Sequence, residues 1–157
     1  VNLISLINEN INLMNELNNS VKISFKYGDK KAFIMCDTEQ INRVFINLLK
    51  NSIESIEEKM SKKPDIVKKI DIEIDEKDDY IETLITDNGI GFDTKNLENI
   101  LKPYFTTKQN GTGLGLPIVN KIINYHNWTL KILPYQNGAK IKITIPKKVN
   151  WNSYYWW

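Results

Sequence analysis

Residues 80–91 read Tyr80-Ile81-Glu82-Thr83-Leu84-Ile85-Thr86-Asp87-Asn88-Gly89-Ile90-Gly91, and the fold turns on how this stretch is taken. Alternation over 80–86, with β-branched Ile81, Thr83, Ile85 and Thr86, predicts a strand. Asn-Gly directly after a strand is normally the tight turn of a hairpin. Here an acidic residue ends the strand, a second glycine follows two positions later, and no strand returns. The chain instead enters an irregular region over 87–113, with a short helix expected around Thr94–Leu101. The strand's partner lies upstream, at 70–76, joined through the acidic turn Lys77-Asp78-Asp79 as an antiparallel hairpin. A carboxylate at the end of such a strand, Asp87, is placed to accept a hydrogen bond from an exocyclic amine. Gly89 and Gly91 let a flat ring lie against the backbone.

Before the hairpin, Leu3, Ile7, Ile11, Met14 and Leu17 have helical spacing over 3–18. Val21 to Tyr27 alternates as a strand, and Gly28-Asp29 is read as turning it into a second, buried strand over 32–36. Asp37 or Thr38 can cap a long helix whose apolar stripe is Ile41, Val44, Phe45, Leu48, Leu49, Ser52 and Ile56. It ends near Met60, ahead of the polar break Ser61–Pro64. After the irregular region, a helix is expected over 114–125, with Pro117 tolerated in its first turn. Strands at Thr129–Leu133 and Ala139–Ile145 follow, joined through Gln136-Asn137-Gly138. Hairpins mixed with helices imply an α+β fold, a two-layer sandwich with a mixed sheet covered on one face by three helices. One domain over 1–147 is expected, followed by an aromatic tail at 148–157 to which no role attaches.

The bulk properties exclude more than they select. A chain of 157 residues, 41% hydrophobic and 25% charged, has the balance of a water-soluble globular domain. A net charge of +2 gives no ground for a nucleic-acid or anionic-membrane partner. The single cysteine, Cys36, excludes an internal disulfide framework and reads as a structural thiol in a buried strand. No apolar run approaches the roughly 20 residues of a membrane span, and no signal-peptide pattern opens the chain. A cytoplasmic location is expected, either free or as the cytoplasmic portion of a membrane-bound protein.

Three further features carry chemistry. On the long helix Asn47, Asn51 and Glu54 fall on one stripe, away from the apolar one. Asparagine is a poor helix-interior residue, so a pair one turn apart suggests a task such as holding a hard cation; a solvated face in an asparagine-rich chain is the plainer reading. Gly111-Thr112-Gly113-Leu114-Gly115-Leu116-Pro117 runs straight into a helix, where free N–H groups make an anion site. It is neither a Walker loop nor a dinucleotide fingerprint, since no Gly-Lys-Ser/Thr follows and Leu116 stands at the third glycine. Between these lies Pro103-Tyr104-Phe105-Thr106-Thr107-Lys108, an aromatic pair beside hydroxyls and a lysine able to anchor a lid.

In this order and spacing the chain resembles the ATP-binding (Bergerat, or GHKL) fold shared by histidine kinases, gyrase-type topoisomerases, heat-shock-90 chaperones and MutL. Asn47-Leu48-Leu49-Lys50-Asn51-Ser52-Ile53-Glu54 looks like the N box and Asp87–Phe92 like the G1 box. Pro103–Lys108 looks like the F box and Gly111–Leu116 like the G2 box. The resemblance implies ATP and Mg2+ as cofactors. It makes Asn51 the magnesium ligand and Asp87 the receiver of the adenine amino group, with Gly89 and Gly91 beside the base. It further implies an ATP site that includes Asn47, Phe105, Thr107, Lys108, Gly111, Thr112, Gly113, Leu114, Gly115 and Leu116.

ATP-hydrolysing members of that superfamily carry a glutamate where this chain has Asn47, and an amide cannot take a proton from water. The wording of the boxes resembles sensor histidine kinases of the nitrogen-regulation NtrB and NtrY type. The function then implied is transfer of the γ-phosphoryl to a histidine on a separate dimerisation domain, and onward to a response-regulator receiver domain. The only histidine, His126, matches a structural position at a helix end, so the phosphoacceptor is not on this chain. As an isolated domain it is expected to be a monomer. Two alternatives stand beside this: a serine kinase of the anti-sigma-factor type, and a nucleotide-binding interaction module without transfer activity.

Overall fold

A computed structural model of the chain describes residues 1–28, 32–93, 95, 99–102 and 115–147. Asp37 opens the longest element: its Oδ1 accepts from the Gln40 N–H at 3.2 Å, satisfying one of the free donors of the first turn. The helix that follows, Thr38–Lys62, is α2, and it closes with Lys59 and Lys62 against the negative end of its dipole. Its buried stripe is Ile41, Val44, Phe45, Leu48, Leu49, Ser52, Ile53 and Ile56. The helix α1, Leu3–Leu17, is capped by Asn2 and packs on one side of α2; α3, Gly115–Tyr125, packs on the other.

Five strands complete the described chain: β1 Lys22–Lys26, β2 Lys69–Glu76, β3 Tyr80–Asp87, β4 Thr129–Leu133 and β5 Ala139–Pro146. They form one sheet in the order β1-β2-β3-β5-β4, with β1 parallel to β2 and every other pair antiparallel. Strict alternation in β2, β3 and β5 turns Ile70, Ile72, Ile74, Ile81, Ile85, Ile141, Ile143 and Ile145 inward, and these join the buried helix residues in a single core. Each such isoleucine contributes roughly 1.5–3 kcal/mol by leaving water. The α+β sandwich, with three helices and a mixed sheet, is as expected.

The strand expected over 32–36 is not there. The segment makes one isolated bridge, Phe33 opposite Asn2, supported by Leu3 N–H to Ala32 O at 2.8 Å and Ile34 N–H to Val1 O at 2.8 Å. Phe33 and Met35 are exposed while Ala32 and Ile34 are buried, so the apolar run is half surface. In consequence β1 pairs not with a hairpin neighbour but with β2, and α2 is the crossover between two parallel strands. Cys36 is accordingly half-buried, outside any strand, and that burial pushes its thiol pKa up.

Candidate functional site

Asp87 is the last residue of β3 and is 4% exposed. Its Oδ1 accepts from the Gly89 N–H at 2.9 Å and from the Ala139 N–H at 3.3 Å, and the Ser52 hydroxyl donates to the same carboxylate. Burial nevertheless dominates and holds its pKa above the usual carboxylate value, against those three hydrogen bonds and the charge of Lys59. Both backbone donors share Oδ1, so the buried carboxyl keeps further acceptor capacity.

Glycine makes this arrangement possible at three points. A Cβ on Gly89 would lie 2.3 Å from Ser55 Oγ and 2.8 Å from Ile56 N, so the segment rests directly on the α2 backbone. Gly91 takes φ +76°, and a Cβ there would meet the Gly138 carbonyl oxygen at 2.5 Å. Gly138, read from the sequence only as part of a turn, is packed against the Asp87 carbonyl, where a Cβ would come within 1.9 Å. That contact delivers the Ala139 N–H to the carboxylate. Asn88 acts on the other side: its side chain accepts from Lys69 N–H at 3.0 Å and donates to the Val67 carbonyl. In this way it extends the β2–β3 ladder past its last residue pair.

The stripe on α2 faces the same region. Asn51 is half-buried, and Gly115, the first residue of α3, lies so close that a Cβ there would sit 3.7 Å from Asn51 Nδ2 and 3.9 Å from Oδ1. The amide of Asn51 therefore stands beside the positive end of the α3 dipole. Asn47, one turn earlier, donates one Nδ2 hydrogen to the Arg43 carbonyl at 2.9 Å, which leaves the second hydrogen and its Oδ1 for other partners. Glu54 is exposed. Leu116 packs half-buried against the core. Phe105, Thr107, Lys108, Gly111, Thr112, Gly113 and Leu114 lie outside the described residues.

His126 lies at the far end of α3 and belongs to the scaffold. Its Nε2 accepts from the Asp37 N–H at 3.1 Å, and its Nδ1 is 2.8 Å from the Ile122 carbonyl. A backbone N–H can only donate and a carbonyl can only accept, so the proton sits on Nδ1. The ring ties the C-terminus of α3 to the N-cap of α2, and Trp128 lies against it. Ser52 and Ser55 were missed as site residues because both fall on or beside the apolar stripe; an Asp-x-Gly segment docking there was the one available signal.

Residues 36–149 match the family model described as histidine kinase-, DNA gyrase B-, and HSP90-like ATPase. A protein of Rickettsia conorii (strain Malish 7) that carries the name of an NtrY-like sensor histidine kinase is 40% identical over 133 residues, 84% of this chain and 21% of the relative. Sporulation kinase A of Bacillus subtilis is 34% identical over 131 residues, 83% of this chain and 20% of its own. The chain thus spans about a fifth of the length of the curated relatives it matches. Among solved structures, the catalytic domain of histidine kinase ThkA superposes with a TM-score of 0.80 at 29% identity, covering 94% of this chain and 93% of that one. The mycobacterial sensor histidine kinase MprB, at 18% identity and a TM-score of 0.79, shares the fold.

Proposed function

We propose, for a chain that belongs to the histidine kinase-, DNA gyrase B-, and HSP90-like ATPase family, that it binds Mg-ATP and serves as the catalytic domain of a two-component sensor kinase. The observation that carries this reading is a convergence. The carboxyl of Asp87 waits in a cradle of Gly89 and Ala139 N–H groups, while the Asn51 amide meets the N-terminus of α3 at Gly115. One end suits a base with an exocyclic amine, and the other suits a cation and phosphates.

The residues present fit both groups. Asp87 would accept the adenine amino group, with Gly89 beside it seated on the α2 backbone. The Asn51 amide oxygen would hold magnesium, and the first turn of α3 would offer N–H groups to phosphate. Bound magnesium supplies charge neutralisation on the phosphate oxygens. Asn47 cannot deprotonate water, and its Nδ2 is already engaged with Arg43. Asn47 therefore supplies no base for hydrolysis, and transfer goes to a nucleophile from elsewhere, a histidine on a dimerisation domain, then to a receiver domain. The chain's part is positioning and electrostatics. No helix among the described residues is long and apolar enough to cross a membrane.

Calorimetric titration with a non-hydrolysable ATP analogue, with and without magnesium, tests the site. Magnesium-dependent binding that falls tenfold or more in Asn51→Ala supports it, and equal binding in both proteins refutes the metal assignment. Radiolabel transfer from ATP to a supplied histidine dimerisation domain tests the chemistry. Binding without transfer would leave a nucleotide-binding interaction module.

A further inference from the structure

Two serines of α2, one turn apart, reach the Asp87–Ile90 segment. Ser55 accepts the Ile90 N–H twice over, at 3.1 Å through its hydroxyl and at 3.3 Å through its carbonyl. The Ser55 hydroxyl also lies where a Cβ on Gly89 would be, so hydroxyl and glycine are fitted to each other. Ser52 is 5% exposed, amid Leu48, Leu49 and Ile56, and its hydroxyl turns to the Asp87 carboxylate. A hydroxyl buried in an apolar stripe costs free energy unless it is hydrogen-bonded, and this one has a partner.

We infer that Ser52 and Ser55 are positioning residues for base recognition, Ser55 fixing the backbone of the segment on α2 and Ser52 orienting the carboxyl. The inference rests on the nucleotide-binding reading above but divides the work between the two serines. Ser52 acts on a charge, so its effect depends on pH; Ser55 acts on backbone position, so its effect does not. Few other charges among the described residues bear on Asp87. Lys59 of α2 reaches it with its field, Lys69 on β2 is turned to Asp71 at 3.5 Å, and Lys140 on β5 lies over the Tyr135 ring. Removing the Ser52 hydroxyl leaves burial less opposed and favours the protonated acid.

The experiment titrates the Asp87 carboxyl carbon by NMR in the nucleotide-free chain, and the affinity for Mg-ATP from pH 5 to 8, in wild type, Ser52→Ala, Ser52→Thr and Ser55→Ala. The expected result is a higher titration midpoint for Asp87 in Ser52→Ala and recovery in Ser52→Thr, which keeps the hydroxyl. Affinity in Ser52→Ala should fall about tenfold on the acid side, the worth of one hydrogen bond to a charged group, and approach wild type at pH 8. Ser55→Ala should lose affinity by a similar factor at every pH. An unchanged Asp87 midpoint in folded Ser52→Ala overturns the role of Ser52, whatever the nucleotide does. A Ser55→Ala affinity equal to wild type overturns that of Ser55. If wild type bound no nucleotide while the midpoint still moved, the Mg-ATP reading would fail and the Ser52–Asp87 link would stand.

Discussion

Replacing Asp87 by Asn should move binding and stability in opposite directions. The asparagine Oδ1 can keep the Gly89 and Ala139 N–H groups, which hold their acceptor at 2.9 and 3.3 Å. Its Nδ2 then replaces the second carboxylate oxygen, and a donor would face the donor of an exocyclic amine. Losing a hydrogen bond to a charged acceptor costs about 1.5–3 kcal/mol. That is roughly a 10- to 140-fold weaker Kd for ATP. Stability responds otherwise. Burial raises the folded-state pKa of Asp87, so its contribution to stability is fully present below the unfolded value and is lost as pH rises through the folded one. The window begins above the ordinary carboxylate value of 3.8. The variant has no charge to bury, so urea unfolding at pH 8 should find it at least as stable as wild type, and the wild-type decline across that window should vanish. ATP affinity unchanged in Asp87→Asn would refute the adenine assignment, and a wild-type stability that rises through the window would refute the burial argument.

Three further outcomes are expected. Gly89→Ala places a Cβ 2.6 Å from the Ser55 carbonyl carbon, a backbone atom that cannot swing away. Overpacking of this kind costs about 1–3 kcal/mol, and nucleotide affinity measured by titration should drop with it. Thr83 is fully buried on β3, and its hydroxyl has no partner among the described residues. Thr83→Val should therefore raise stability by about 1 kcal/mol, read from the urea midpoint, with ATP binding untouched. His126→Ala removes the link between α3 and the α2 N-cap and should cost about 1–2 kcal/mol for its two hydrogen bonds, seen as a lowered Tm.

Much of the fold was legible because its main elements carry strong periodicity. The stripe from Ile41 to Ile56 and the alternation from Ile70 to Ile85 each identify their element, and Asp87 announces itself by ending a strand that has no return. Pairing was less legible. Alternation in Val21–Tyr27 says that a strand exists but not which strand lies beside it, and the partner proved to be β2, some 47 positions on by the pairing of Lys22 with Lys69. The run Ala32–Cys36 misled because composition does not show that Phe33 and Met35 face water. Ser52 was legible as a buried position and illegible as a hydroxyl with a task, since its partner is 35 residues away and arrives only through the tertiary fold. Gly138 likewise reads as a turn until Asp87 is brought against it.

The bond from Ala139 N–H to Asp87 joins residues 52 apart, and Asp87 is also in register with Ala139 at the end of the β3–β5 pair. Closing so long a span is slow compared with forming a helix or the β2–β3 hairpin. The acid is therefore finished late: a chain with α2 and the hairpin in place still lacks one wall of the cradle until β5 docks. Nucleotide then meets an incomplete site in partly folded forms, and its binding free energy accrues mainly to the native state, about 2.7 kcal/mol at a hundredfold excess over Kd. In a refolding experiment, fluorescence of a bound nucleotide analogue should lag behind helical circular dichroism, making the ligand a clock for the last strand to arrive.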